Sequence, residues 1–305
     1  MKNSLRATLF VITAVTMLAF VSPTYAQTVV SAFDPFSATP TPGVWFEIDV
    51  RPGGTATISD LTGLGGNLET AQPLPRGAAM LTTDLTTTSK AEVAVGNDYG
   101  VLNDILSTIA VGFSWHKETN PAPGSNQFAA PSIKLTFFNP VCDDPDSGGD
   151  CFITLIWEAY QDRHAPVPPA DTWTREDLDA DNGGWWTTGG FGTPNGGGGC
   201  GAVPCPTLNE WYGALSSDFG EATLIAVSVG VGSNNPGQIG YFDDVTIEGT
   251  EADASYDFEP ALVFKTVGEC VSTLIAENCS ALTGKARANC NHEQQMTCFD
   301  LFGVK

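Results

Sequence analysis

Ile109-Ala110-Val111-Gly112-Phe113-Ser114-Trp115-His116 places large apolar side chains at every second position. That period of two belongs to a half-buried β-strand, because successive side chains of an extended chain point to opposite faces. The same pattern recurs through Ile133, Leu135 and Phe137, through Ile153, Leu155, Trp157 and Ala159, and through Ile225, Val227, Val229 and Val231. Shorter alternating stretches fall at Trp45–Arg51, Thr55–Ser59, Ala79–Thr83, Ala91–Val95, Thr172–Asp177, Tyr241–Glu248 and Ala254–Phe258. With 33 Gly and 20 Pro to make the turns between them, ten or so short strands predict an all-β fold, one jelly-roll β-sandwich over residues 27–260. No repeat points to a propeller or solenoid. One internal helix is expected at Thr207–Leu215, where Thr207 and Glu210 have the spacing of a capping box.

Beyond Pro260 the alternation stops. Glu269–Asn278 and Ser280–Phe302 read as two short helices hinged between Cys279 and Gly284, so residues 261–305 form a small C-terminal appendage. Four of the eight cysteines, Cys270, Cys279, Cys290 and Cys298, lie here, and the others are Cys142, Cys151, Cys200 and Cys205. An even count in an exported chain predicts a disulfide framework. Local spacing favours Cys142–Cys151 and Cys200–Cys205. The last four permit three pairings, of which the nested Cys270–Cys298 and Cys279–Cys290 suits a helical hairpin. A segment this short cannot hold a core alone, and each bridge stabilises it by roughly 2–3 kcal/mol. The chain has no Cys-x-x-Cys and only three histidines, which argues against zinc or redox chemistry.

Met1–Ala26 carries Lys2 and Arg6, an apolar run from Ala7 to Val21, Pro23 and the small-residue site Thr24-Tyr25-Ala26. It reads as a secretory signal peptide cleaved before Gln27, with no membrane insertion afterwards. The mature protein is expected outside the cytoplasm: extracellular, on the cell surface or periplasmic. At 42% hydrophobic and 16% charged residues the chain is not a disordered one. A net charge of -22 repels phosphates and excludes nucleic acid as a partner.

Several features occur in a fixed order. They are Trp45-x3-Asp49-x-Arg51-x-Gly53-Gly54, Phe113-Ser114-Trp115, Trp185-Trp186, Leu208-x-Glu210-Trp211, Val227 to Ser233, Tyr241-Phe242-Asp243-Asp244-Val245-Thr246-Ile247 and Tyr256-Asp257-Phe258-Glu259-Pro260. Together, over roughly residues 27–260, they resemble the jelly-roll modules of secreted bacterial proteins, similar in form to carbohydrate-binding modules and concanavalin-like lectin domains. The resemblance implies a non-catalytic module for polysaccharide or a cell-surface glycan. It also implies a structural calcium site at the last strands, at the place of Asp243 and Asp244.

The catalytic patterns are incomplete. Glu47-Ile48-Asp49-Val50-Arg51 resembles the Glu-x-Asp-x-x-Glu strand of jelly-roll glucanases, but the third carboxyl position falls on Arg51-Pro52, which leaves an ordinary edge strand with outward Glu47 and Asp49. There is no Gly-x-Ser-x-Gly elbow and no phosphate loop, and His292-Glu293 lacks a second zinc histidine. His116, His164 and His292 read as polar surface residues.

Binding residues are sought among the aromatics. Trp45, Trp115 and Trp157 fit the core, whereas Trp173, Trp185, Trp186, Trp211 and Tyr160 are candidates to stack on sugar rings. Trp185 and Trp186 are neighbours on a strand, so at most one faces the core. Gly189 to Gly192 and Gly196 to Gly199 read as a flexible flap beside a groove. Small residues Ala110, Gly112 and Ser114, set beside Ala226, Ser228 and Gly230, would leave a trough if their strands neighbour each other. Calcium candidates are Asp177, Asp179 and Asp181, which alternate as oxygen ligands before Asn182-Gly183, and the acidic loop with Asp143, Asp144, Asp146 and Asp150. Asp243 is expected on the face of Tyr241, Val245 and Ile247, and buried there it needs amide donors, a cation or a metal.

The reading is a secreted, acidic, disulfide-bonded sandwich that binds polysaccharide without catalysis. Its rival is a structural or adhesive surface protein that binds itself or other proteins. A third reading is a jelly-roll glycoside hydrolase or lyase with an unfamiliar site.

Overall fold

The computed structural model describes residues 27–119, 127–141, 151–161, 168–193, 200, 204–215, 217–261 and 266–301. The segment read as a signal peptide, Cys142 with the acidic loop that follows it, His164 and the glycines 196–199 lie outside these residues.

The alternating stretches form two sheets. The strands are β1 (Thr28–Val30), β2 (Trp45–Glu47), β3 (Thr55–Asp60), β4 (Gly77–Thr82), β5 (Lys90–Gly96), β6 (Ala110–Lys117) and β7 (Ser132–Phe138). They continue with β8 (Phe152–Trp157), β9 (Thr174–Asp179), β10 (Trp185–Thr187), β11 (Thr223–Gly232), β12 (Ile239–Glu248) and β13 (Ala254–Phe258). A six-stranded sheet runs β10-β8-β7-β11-β5-β2, and its strand pairs are antiparallel. The facing sheet has seven strands centred on β12, which pairs β6 along one side and β4 and β13 along the other. The fold is an all-β, jelly-roll sandwich with a small disulfide-bonded helical appendage at its C-terminal end.

Between the sheets lie the alternate residues that the pattern marks as apolar. Val111, Phe113 and Trp115 of β6 face Ile133, Leu135 and Phe137 of β7, Leu155 and Trp157 of β8, and Val227, Val229 and Val231 of β11, all buried. Phe113 and Trp157 meet edge to face across the layer at 5.8 Å. At the other end Trp45, Phe242 and Phe258 form a ring cluster, with centroids 4.7 Å apart for the two phenylalanines and 5.1 Å from Trp45 to Phe258. Each such side chain contributes roughly 1.5–3 kcal/mol by leaving water.

The differences from the sequence pattern have local causes. β2 stops at Glu47, short of Arg51, because the amides of Ile48 and Asp49 share the Glu92 carbonyl and Arg51 then bonds to Lys90. That doubling breaks the ladder, and Asp49 lies past the strand end. β9 is displaced two residues toward the C-terminus from the expected Thr172–Asp177. The small residues Ala110, Gly112 and Ser114 belong to one sheet, and Ala226, Ser228 and Gly230 to the other, so they do not line a common trough. His116 is buried between the rings of Trp173 and Tyr241, not at a polar surface.

The helices among the strands are α1 (Gly66–Thr70), α2 (Leu102–Ile105), α3 (Leu208–Ala214) and α4 (Ser217–Gly220), and α3 has the expected capping box, with Thr207 accepting from the Glu210 amide and Glu210 reaching back to the Thr207 amide. The appendage consists of α5 (Val267–Cys279) and α6 (Gly284–Leu301), joined by Cys270–Cys298 and Cys279–Cys290 in the nested pairing. Cys200–Cys205 is also formed, and no described cysteine is free.

The Gly189 to Gly192 segment is held tightly. Phe191 is buried against Phe219, and a Cβ on Gly190, at φ 109°, would stand 2.0 Å from the Phe152 carbonyl oxygen. Gly190→Ala is therefore expected to destabilise the fold by about 2 kcal/mol or more. Gly213→Ala, in α3 with nothing within 4 Å of the added carbon, is expected to stabilise by roughly 0.5–1 kcal/mol. Urea denaturation of the two variants beside the parent protein checks both signs.

Candidate functional site

The outer face of the six-stranded sheet is built from the residues between the core positions. Register aligns one row across all six strands: Trp186 of β10, Ile156 of β8, Lys134 of β7, Ser228 of β11, Ala94 of β5 and Phe46 of β2. The next row sets Ser132, Gly230 and Glu92 side by side. Above these rows opens a groove of about 420 Å³, bordered by Trp186, Tyr160 and Glu158 on one side and by the 232–235 loop on another.

The floor is ionic and closed on itself. Glu92 accepts from Lys134, from Lys90 at 2.6 Å and from the Ser228 hydroxyl at 2.7 Å. Lys90 also reaches Asp49 at 2.8 Å, which in turn holds Arg51 through two hydrogen bonds. Burial pushes the Glu92 carboxyl up, but the charges of Lys134 and Lys90 outweigh it and hold the carboxyl down at about 2. The same burial lowers the Lys134 ammonium, and the Glu92 charge offsets part of that. Glu92 thus remains an anion at any physiological pH, with its two lysines arranged around it.

Trp186 forms the wall. Its indole nitrogen donates to Glu158 at 2.9 Å, and Gln161 ties the same carboxylate to the Tyr160 hydroxyl. The ring is thereby fixed in orientation and half-buried, with an apolar surface beside a floor of hydroxyls and charges.

Of the five aromatic candidates, the structure brings two to this groove, Trp186 and Tyr160. Trp185 is in the core, Trp211 donates to the Trp185 carbonyl at 2.7 Å while packing on the core, and Trp173 packs on the other sheet with its indole on the Leu68 carbonyl. These three lie outside the groove, each with a protein partner or a core position. The sequence reading missed Lys90, Glu92, Lys134 and Glu158, and took Ser228 only as a small residue lining a trough. The available signal was parity: Glu92 and Lys134 interrupt apolar strands at positions that face away from the core, in a chain with only 13 basic residues.

The candidate calcium residues are distributed differently from the expected cluster. Asp177 pairs with Arg175, Asp179 accepts the amides of Asp181 and Asn182, and Asp181 accepts from the Asn209 side chain. Asp244 also pairs with Arg175. A bulge at Asp244, where φ is 52°, shifts the register of β12, so Asp243 shares a face with Tyr241 and Thr246 while Val245 and Ile247 turn to the core. Asp243 is fully buried on that outer face; Oδ1 accepts the Phe258 amide, and Oδ2 has no partner among the described residues. Among the described residues no group of three or more His, Cys, Asp or Glu side chains is placed to hold a metal ion, and calcium takes six to eight oxygens.

No family model and no curated protein matches the chain. Among solved structures it is similar to a family 11 carbohydrate-binding module from Clostridium thermocellum in complex with a β-1,3-1,4-mixed-linked tetrasaccharide. That likeness has 8% identity and a TM-score of 0.33, covering 76% of this chain and 97% of the other. The cellulose-induced protein Cip1 is similar at 14% identity and a TM-score of 0.34, covering 67% of this chain and 89% of that one. The xyloglucanase domain of NopAA, a type three effector from Sinorhizobium fredii, in complex with cellobiose, is similar at 16% identity and a TM-score of 0.31, covering 69% and 92%. Likeness at this level adds nothing to the argument for the groove, which stands on its own geometry.

Asp243 has a measurable consequence. Burial raises its carboxyl to about 8, the Phe258 and Asp244 amides offset part of the rise, and the charges of Asp257 and Asp244 add to it. The fold therefore holds a proton that the unfolded chain releases near pH 4, so stability is lost as pH rises from about 4 through about 8. The urea midpoint is expected to fall between pH 5 and 8, and Asp243→Asn is expected to remove most of that slope. Running the series with calcium and with a chelator separates a proton from a cation as the neutralising partner, since only a cation would lift the high-pH arm.

Proposed function

We propose that this protein is a secreted, non-catalytic polysaccharide-binding protein whose ligand lies in the Trp186 groove and carries no net charge. The observation that supports the reading best is the fixed, half-exposed Trp186 ring standing over a floor of hydroxyls and paired charges. A pyranose offers both surfaces such a groove complements, an apolar face for the ring and hydroxyls for Thr154 and the Asn234–Asn235 loop.

Charge supports the ligand class. Lys134, Lys90 and Arg51 each have a carboxylate partner, so none of these cations is left to meet a uronate or sulfate. The whole chain adds a net charge of -22, which repels anionic polymers at a distance. Against catalysis stands the state of the two groove carboxyls. Glu92 is held ionised by its lysines, and Glu158 is engaged by Trp186 and Gln161. A glycosidase needs one carboxyl raised to act as an acid, and Glu92 is held in the opposite direction.

A polysaccharide screen of residues 27–305 tests the reading. Binding is expected to neutral β-glucans, xylans or mannans and not to pectate, alginate or sulfated galactans, with little change in affinity as salt is raised. Trp186→Ala is expected to weaken binding at least about tenfold, ~1.4 kcal/mol, with the fold intact by circular dichroism. Retention only on anionic polymers, or full binding by the Trp186→Ala protein, would overturn the assignment. New reducing ends released from a bound polymer would overturn its non-catalytic part.

A further inference from the structure

We propose that Phe138 and Phe152 form a second aromatic subsite on the same sheet face, so that the ligand is a long chain running along β7 and β8 out of the groove. The inference rests on the binding reading above and extends it. Phe138 and Phe152 are register partners on neighbouring antiparallel strands, and both point outward, since Phe137 and Ile153 beside them are in the core. They are 40% and 44% exposed, large apolar surfaces that a sheet facing only water would not favour. Side by side on one face, their Cβ atoms lie roughly 4.5–5.5 Å apart, which makes a platform two rings wide.

The platform is continuous with the groove. Lys134, Thr136 and Phe138 follow one another on the outward face of β7, and Ile156, Thr154 and Phe152 do so on β8. Four steps along the strand separate Lys134 from Phe138, roughly 13 Å. Between them lies a row of hydroxyls: Thr136 and Thr154 are 3.2 Å apart, and Thr188 donates its amide to the Thr154 carbonyl in the same row. An apolar ring at each end with hydroxyls between repeats, along the strands, the alternation of apolar ring faces and hydroxyls that a polysaccharide presents. A three-residue edge strand, β10, bounds this track on one side, and the bulge of β11 between Leu224 and Ala226 bounds it on the other. A protein surface docked on the two phenylalanines would have no such need of the threonine row, and its binding would not depend on ligand length.

The test is calorimetry with β-1,4-linked glucan, xylan and mannan oligosaccharides, from two to eight units, on the parent protein, the Phe138→Ala/Phe152→Ala double variant, Phe138→Tyr and Trp186→Ala. The double variant is expected to bind two- and three-unit probes as the parent does and to lose about tenfold in affinity for six- to eight-unit probes. Phe138→Tyr keeps a ring and is expected to bind long probes like the parent. Affinity of the double variant equal to the parent at every length, with Trp186→Ala still defective, would overturn the second subsite and leave the groove assignment standing. Equal losses at every length would also overturn it, as a disturbance of the groove itself. Unimpaired binding by Trp186→Ala, or no binding of any probe by the parent, would remove the groove assignment and the subsite together.

Discussion

Glu92 lies almost wholly out of water and remains charged, which costs several kcal/mol unless partners surround it. That requirement orders the six-stranded sheet. Lys134 comes from β7 and Glu92 from β5, and β11 runs between them, so the two side chains can meet only across that strand. β11 permits it by carrying Ser228 and Gly230 there. A Cβ on Gly230 would already stand 3.1 Å from the Glu92 side chain, and the Ser228 hydroxyl is the third donor to the carboxylate. Small residues at these points of β11 are therefore part of the charge network, and the groove exists because the floor is sunk along that strand.

Parity carried much of the fold into the sequence. A strand buried on one face must alternate, so Ile133, Leu135, Phe137 and their counterparts in β8 and β11 were legible without knowledge of their neighbours. The capping box before α3 and the nested bridges of the hairpin were legible for the same local reason. Strand order was not. Which sheet received β6 and which received β11 depends on long-range pairing, and the trough expected from their small residues failed on that point. The bulge at Asp244 was equally hidden, because one inserted residue reverses every side chain beyond it without altering composition.

The site was legible only in part, for a related reason. Aromatic residues announce themselves, and Trp186 and Tyr160 could be singled out, but so could Trp173, Trp185 and Trp211, which the fold uses internally. What separates the two groups is the face each strand presents, and that is a tertiary property. The polar residues of the floor were passed over because each, alone, is an ordinary lysine, glutamate or serine. Register turns them into a network, as when Ser132, Gly230 and Glu92 line up from three strands far apart in sequence.

The helical appendage can be considered under tension. Cys270 near the start of α5 is bonded to Cys298 near the end of α6, and Cys279–Cys290 closes a second ring inside the first. A pull on the chain beyond Cys298 passes through the outer disulfide to Cys270 and on toward β13, bypassing the intervening residues. The hairpin then transmits load as a rigid, inextensible link, and the first elements to feel the force are the hydrogen-bonded ladders that join β13 to β12 and β1. The two nested bridges thus keep the segment between Cys270 and Cys298 from being drawn out when the chain beyond it is pulled.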